Sequence, residues 1–213
     1  MTAHPRDAGP ADDGIHPWRR LGRESTFGER LGAGVRVLVV GDGSARAEPG
    51  APADEHTERV ATLVGQIAGR PDIGYASADA LKAARLAGNL RDMTAGYDIV
   101  ALPWSAPEAD ADRLGVRRAF EEVAREPDAP VFIAAAGHDG PGRLRFPASC
   151  TSVIAVGVTG DDGTPTPYCG SDQLGRKPQL LTDGLNGRQV FGSQQLVLIA
   201  VLLAATVARP GRS

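Results

Sequence analysis

The 213-residue chain is short of lysine, cysteine and aromatic residues, and it has no long apolar run. Lys82 and Lys177 are its only lysines, and the remaining basic side chains are arginines, a bias of base composition rather than of chemistry. A net charge of −3 with a pI near 5.8 leaves no electropositive footprint for nucleic acid. The two cysteines, Cys150 and Cys169, match no metal-ligand spacing, so no metal and no cofactor is expected. They read as reduced thiols, with a disulfide as the alternative. The longest apolar stretch, Leu196–Ala208, has 13 residues, where a membrane-spanning helix needs roughly 20. It reads as a buried core helix, and no membrane contact is expected. The first ten residues carry no apolar h-region, so no export signal is read and a cytoplasmic location is expected.

What is present is globular. An apolar fraction of 42% suits one domain with a real core. Residues 1–17, rich in Pro, Asp, Ala and Gly, read as a disordered tail, and 18–213 as a single domain. Trp18–Leu31 reads as a short helix or an irregular arm. Val35–Val40 is, apart from Arg36, a run of Val and Leu, the pattern of a strand buried on both faces. Ser44–Asp54, with Pro49, Gly50 and Pro52, is a loop. His56–Ala68 sets Val60, Leu63, Val64 and Ile67 at helical spacing. Ala78–Leu90 and Ala109–Arg125 are helical in period, the second with Leu114, Val116, Phe120 and Val123 inward. Asp98–Leu102, Pro130–Ala136 and Ser152–Gly157 read as further buried strands. Strands alternating with helices of this length predict an α/β fold: a doubly wound, mostly parallel sheet with helices on both faces.

In such a sheet, sites form beyond the C-terminal ends of the strands. Four polar spots fall at strand ends or helix starts: Asp42, His56, the His138-Asp139 pair and Ser193. Each has an ordinary reading when taken alone. A histidine at a helix start is commonly a surface residue, and a serine before an apolar helix is commonly its N-cap.

Their order says more. Gly32-Ala-Gly-Val-Arg-Val-Leu-Val-Val40 resembles the subtilisin-family strand that ends in the catalytic Asp. His56 with Val60-Ala61 is similar to that family's His-Gly-Thr-His-Val-Ala helix start, with Thr57, Glu58 and Arg59 in place of Gly, Thr and His. Asp98-Ile-Val100 resembles the strand that lines the substrate groove. Ala134-Ala-Ala-Gly-His-Asp-Gly140 resembles Ala-Ala-Ala-Gly-Asn-x-Gly, and Phe146-Pro-Ala148 with Val153-Ile-Ala-Val-Gly157 is close to Tyr-Pro-Ala and Val-Ile-Ala-Val-Gly. Phe191-Gly-Ser193 sits where Gly-Thr-Ser opens the buried helix. The likeness runs over about residues 30–210 and implies a subtilisin-like fold, with Ser193 as nucleophile, His56 as base and His138 at the oxyanion position. Leu102, Pro103, Trp104 and Ser105 then stand at the substrate groove.

The departures lie in the chemistry. A triad needs an acid to orient and stabilise the imidazolium. Without a gap, the acid position is Gly41. Asp42 lies one residue on, where alternation along a strand turns it to the opposite face, and a bulge using Gly41 and Gly43 would be needed to bring it back. The oxyanion hole wants a compact donor, but His138 is larger and donates only in the right tautomer or when charged, a form that Asp139 would favour. Removing a triad acid costs roughly 3 × 10⁴ in rate, and removing an oxyanion amide roughly 10²–10³. Gly-Thr-Ser-Met-Ala becomes Gly192-Ser-Gln-Gln-Leu196, and the groove's Ser-Leu-Gly becomes Pro103-Trp-Ser105. Pro103 lacks an N–H for β-addition of a peptide, and Trp104 could narrow or fill the groove. The interval from Gly41 to His56 is short, so loops that carry calcium ligands in many relatives are expected to be missing.

The resemblance therefore implies a degenerate subtilisin-like domain that binds peptide or stabilises a partner, an active homologous subtilase, in peptide maturation. The interface is expected near Trp104, the Ser44–Asp54 loop or the C-terminal end. The alternative is a working serine peptidase that uses Ser193 and His56 with Asp42 or another carboxylate as orienter. A third reading makes His138 and Asp139 the acid and base of a non-hydrolytic enzyme.

Overall fold

The computed structural model describes residues 34–41, 55–68, 71–78, 87–109, 115–160 and 164–183. The expected N-terminal tail, the Trp18–Leu31 segment, Asp42, the Ser44–Asp54 loop, Ser193 and the Leu196–Ala208 helix all lie outside the described residues.

Six strands form one parallel sheet: β1 (Arg36–Gly41), β2 (Asp72–Ser77), β3 (Ile99–Leu102), β4 (Val131–Ala135), β5 (Ile154–Thr159) and β6 (Leu180–Asp183). Their spatial order is β2-β1-β3-β4-β5-β6. The chain leaves β1 toward one edge for β2 and returns past it to lay down β3 on the other side. That reversal is the switch point at which doubly wound sheets open a crevice.

Side-chain alternation divides the strands between two core layers. Val37, Val39, Ile99, Ala101, Ile133 and Ala135 pack with Val60, Ala61 and Val64 of helix α1 (Glu55–Ala68). Leu38, Val40, Val100, Leu102, Phe132 and Ala134 pack on the opposite face with Leu90 of helix α2 (Ala87–Thr94) and with Val116, Phe120 and Val123 of helix α3 (Val116–Val123). Helices thus cover both faces, as the apolar runs Val37–Val40, Ile99–Leu102 and Val131–Ala135 require. Each fully buried Val, Leu or Phe contributes roughly 1.5–3 kcal/mol. Phe120 sits at the centre of the second layer, edge-on to Phe132 at 5.2 Å and to Phe146 at 5.4 Å.

The expected strands appear, shifted by one or two residues. Two further strands, β2 and β6, were not expected, and both are edges of the sheet. In β2, Asp72 is exposed and the other residues are only half-buried, so no continuous apolar run marks it. Its Gly74 leaves room for Tyr97: a Cβ there would come within 2.7 Å of the Tyr97 ring. The helix expected to end at Leu90 runs on to Thr94, where the Thr94 hydroxyl donates to the Leu90 carbonyl at 2.9 Å. Gly96, at φ 76°, then turns the chain out of the helix, and the Tyr97 amide closes onto Thr94. α3 begins at Val116, after a left-handed Gly115.

Candidate functional site

The site is built from three strand ends. β1 ends at Gly41, β3 runs into Leu102-Pro-Trp-Ser105, and β4 runs into Ala136-Gly-His-Asp-Gly140. Since β1, β3 and β4 are neighbours in the sheet, these ends lie side by side on its C-terminal edge.

Gly41 pairs with Ser77 in a register with β2 that is one-to-one from Arg36 onward, so no bulge interrupts β1. The bulge using Gly41 and Gly43 that would return Asp42 to the acid position would lie beyond Gly41, outside the described residues. The side chain at position 41 would point at the first turn of α1. A Cβ on Gly41 would come within 2.9 Å of Thr57 Cβ and 3.0 Å of its Cγ2, and closer still to its Oγ1. Thr57 is 0% exposed. His56 lies beside it in the same first turn, with its side chain outside the described part of the structure.

At the end of β4 the backbone is held from both sides. The Gly170 amide donates to the Gly137 carbonyl at 3.0 Å, and the Gly140 amide to the Tyr168 carbonyl at 3.1 Å. Gly137 has φ 90°, and a Cβ there would meet Arg145 Cδ at 3.0 Å. Gly170 lies so close to Ala136 that a Cβ would come within 2.9 Å of its carbonyl carbon. On this platform the His138 side chain is exposed, with its ring 5.7 Å from that of Tyr168.

Asp139 does not serve His138. Arg145 Nη1 donates to Asp139 Oδ2 at 2.7 Å. The expected acid–base pairing of Asp139 with His138 is not what the structure shows: the carboxylate pairs with Arg145. The guanidinium supplies a directed donor and a full charge to the carboxylate.

The groove segment also differs from expectation. Leu102, Pro103 and Trp104 are buried, and only Ser105 is half-exposed. Trp104 is 5% exposed and packs on Phe146 at 6.0 Å between ring centroids. Its Nε1 has no hydrogen-bond partner among the described residues. The Ala106 amide donates to the Phe146 carbonyl at 2.8 Å and ties this segment to the 146–150 turn. Trp104 is therefore part of the core, and its side chain is not on the surface.

Thr57, Arg145, Tyr168 and Gly170 shape the site without standing out in the sequence. Thr57 was visible as a replacement for Gly, but its apposition to Gly41 was not. Arg145, Tyr168 and Gly170 come from loops whose return to β4 no local pattern announces. Cys150 and Cys169 are both buried and carry no disulfide. No group of acidic, His or Cys residues among the described residues could hold a metal ion, and no described helix is long and apolar enough to cross a membrane.

Neither a protein-family model nor a curated protein sequence matches the chain. Solved structures do match. The prenylagaramide maturation protease PagA superimposes with a TM-score of 0.61 at 20% identity, over 93% of this chain and 84% of that one. The self-cleaved protease domain of PatA gives 0.60 at 22% identity, over 86% and 84%. MycP1 from Mycobacterium smegmatis gives 0.56 at 16% identity, over 85% and 70%. At such identities the likeness speaks for the fold. With a parallel sheet of this order and helices on both faces, the chain has the subtilisin-like protease fold.

Proposed function

We propose that the chain is a peptide-binding pseudoprotease subunit, acting beside a catalytically complete subtilase in peptide maturation. The observation that carries this reading is Gly41. It closes the strand whose end would supply the triad acid, and it offers no side chain to orient an imidazole. The carboxylate beside the oxyanion position, Asp139, is engaged by Arg145. A fold kept without its acid is better suited to holding a peptide or a partner than to turning one over. That PagA is a maturation protease for prenylagaramide supports a peptide as the ligand class.

The test is direct. The purified full chain is incubated with a fluorophosphonate probe and with general peptide substrates, and material from the native host is analysed for a co-purifying subtilase. The expected result is negligible hydrolysis and an associated protease chain. Turnover by the unmodified chain that disappears in Ser193→Ala would establish the peptidase instead. A clean monomer that binds no peptide would overturn the proposal.

A further inference from the structure

Gly41 is a glycine without a conformational reason. It lies in regular extended strand, paired in register with Ser77, and it is not among the glycines with positive φ. Glycine weakens a strand because it loses more backbone entropy than other residues and packs nothing. Where no left-handed angle calls for it, the reason visible within the strand is space. The occupant of that space is Thr57. It reaches from the first turn of α1 into the notch that Gly41 leaves, and it is completely buried there.

The geometry leaves no easy escape. Carbon atoms pack best at about 3.5–4.0 Å, while a Cβ at position 41 would face Thr57 Cβ at 2.9 Å. Turning χ1 of Thr57 would move its Oγ1 and Cγ2 but not its Cβ, and β-branched side chains in helices have few χ1 positions to choose from. The face is also specific. Position 41 shares its side of the sheet with Val37 and Val39, the side that packs on α1. Any side chain at 41 therefore points at the helix turn that carries His56.

We infer that Gly41 and Thr57 form one compensating unit, in which Thr57 fills from α1 the volume a side chain at 41 would need. A carboxylate cannot return at position 41 while Thr57 remains. The packing of Thr57 against Gly41 follows from their geometry alone. Its meaning as a closed acid pocket rests on reading Gly41 as the acid position, as proposed above. In the family's motifs the residues at these two positions are Asp and Gly, and here they are Gly41 and Thr57.

Four proteins test the unit: the full chain, Gly41→Ala, Thr57→Gly, and the two changes together, each followed through thermal unfolding. Gly41→Ala alone should lower the melting temperature clearly. In the Thr57→Gly background the same change should be neutral or raise it. Thr57→Ala, which keeps the Cβ, should rescue less than Thr57→Gly and serves if the glycine variant does not fold. Equal effects of Gly41→Ala in every background, or no effect in any, would overturn the inference. Gly41→Asp is then compared with Gly41→Asp/Thr57→Gly for fluorophosphonate labelling of Ser193. The double variant should label at least about ten-fold faster, as expected when a triad acid regains its place. Coupled stabilities without a gain in labelling would uphold the packing unit and count against Gly41 as the acid position, so the two readings fail separately.

Discussion

Lys177 Nζ donates to the Ala148 carbonyl at 2.6 Å. The same nitrogen donates to the Val153 carbonyl at 2.8 Å and to the carbonyl of Cys150, so three backbone acceptors of the turn before β5 converge on one ammonium. Burial pushes this ammonium below its ordinary pKa, opposed by Cys150, Glu121 and Asp172 nearby. Lys177→Met keeps most of the side-chain volume but leaves the three carbonyls without their donor. Each hydrogen bond to a charged group is worth roughly 1.5–3 kcal/mol, and because the three share one side chain a total loss of about 2–4 kcal/mol is expected. Equilibrium unfolding in urea measures it, and a loss within about 0.5 kcal/mol, the range of an ordinary surface substitution, would show that the turn holds without Lys177.

Gly170 and His138 should respond oppositely to substitution. At Gly170 the obstacle to a Cβ is the backbone of Ala136, which cannot step aside as a flexible side chain could. Gly170→Ala should cost about 1–3 kcal/mol, the range of overpacked sites. His138→Asn changes an exposed side chain on the same platform and should stay within about 0.5 kcal/mol. Denaturant midpoints of the two variants give the comparison.

Trp104 is expected to behave as a core residue. Trp104→Ala should cost about 3–5 kcal/mol, as for other large-to-small changes of buried aromatics. Trp104→Phe keeps an aromatic ring against Phe146 and removes an indole N–H that has no partner among the described residues, so its cost should be far smaller. If Trp104→Ala were neutral in unfolding experiments, the indole would have to lie at a surface after all.

The pair between Arg91 and Glu126 sets an acid limit on one corner of the fold. Arg91 Nε donates to both carboxylate oxygens, at 3.0 and 2.9 Å, and ties α2 to the turn after α3. The hydrogen bond and charge of Arg91 hold the Glu126 carboxyl below its ordinary 4.5. Since the folded value is the lower one, the contribution is complete above the unfolded value and is lost as pH falls through the folded value. Glu126→Gln should therefore lower the melting temperature slightly at neutral pH. The difference should vanish in strong acid and shrink in high salt, because the pair is exposed and screened. Melting curves across pH and ionic strength check both signs.

Much of this fold can be read along the chain. Within the runs Val35–Val40, Asp98–Leu102 and Pro130–Ala136, every residue but Arg36 and Asp98 is apolar, and a strand buried on both faces has to lie between two helical layers. The 3.6-residue spacing of Val60 and Val64, and of Val116, Phe120 and Val123, selects the faces that α1 and α3 bury. The edge strands were not legible. Half-exposed residues in β2, with Gly74 making room for Tyr97, erase the pattern that burial imposes elsewhere.

The sequence by itself determined the fold class and the candidate positions, Gly41, His56, His138 and Ser193, because apolar periodicity and motif order are local properties. Only the tertiary structure decided what the described positions face. Thr57 meets Gly41 because α1 returns across the end of β1. Arg145 pairs with Asp139 because the loop after β4 folds back, and Trp104 turns inward because Phe146 offers it an apolar wall. These contacts join residues far apart in the chain or turned by a fold-back, and their outcome depends on which surface arrives. That is a matter of packing in three dimensions, which no window of sequence contains.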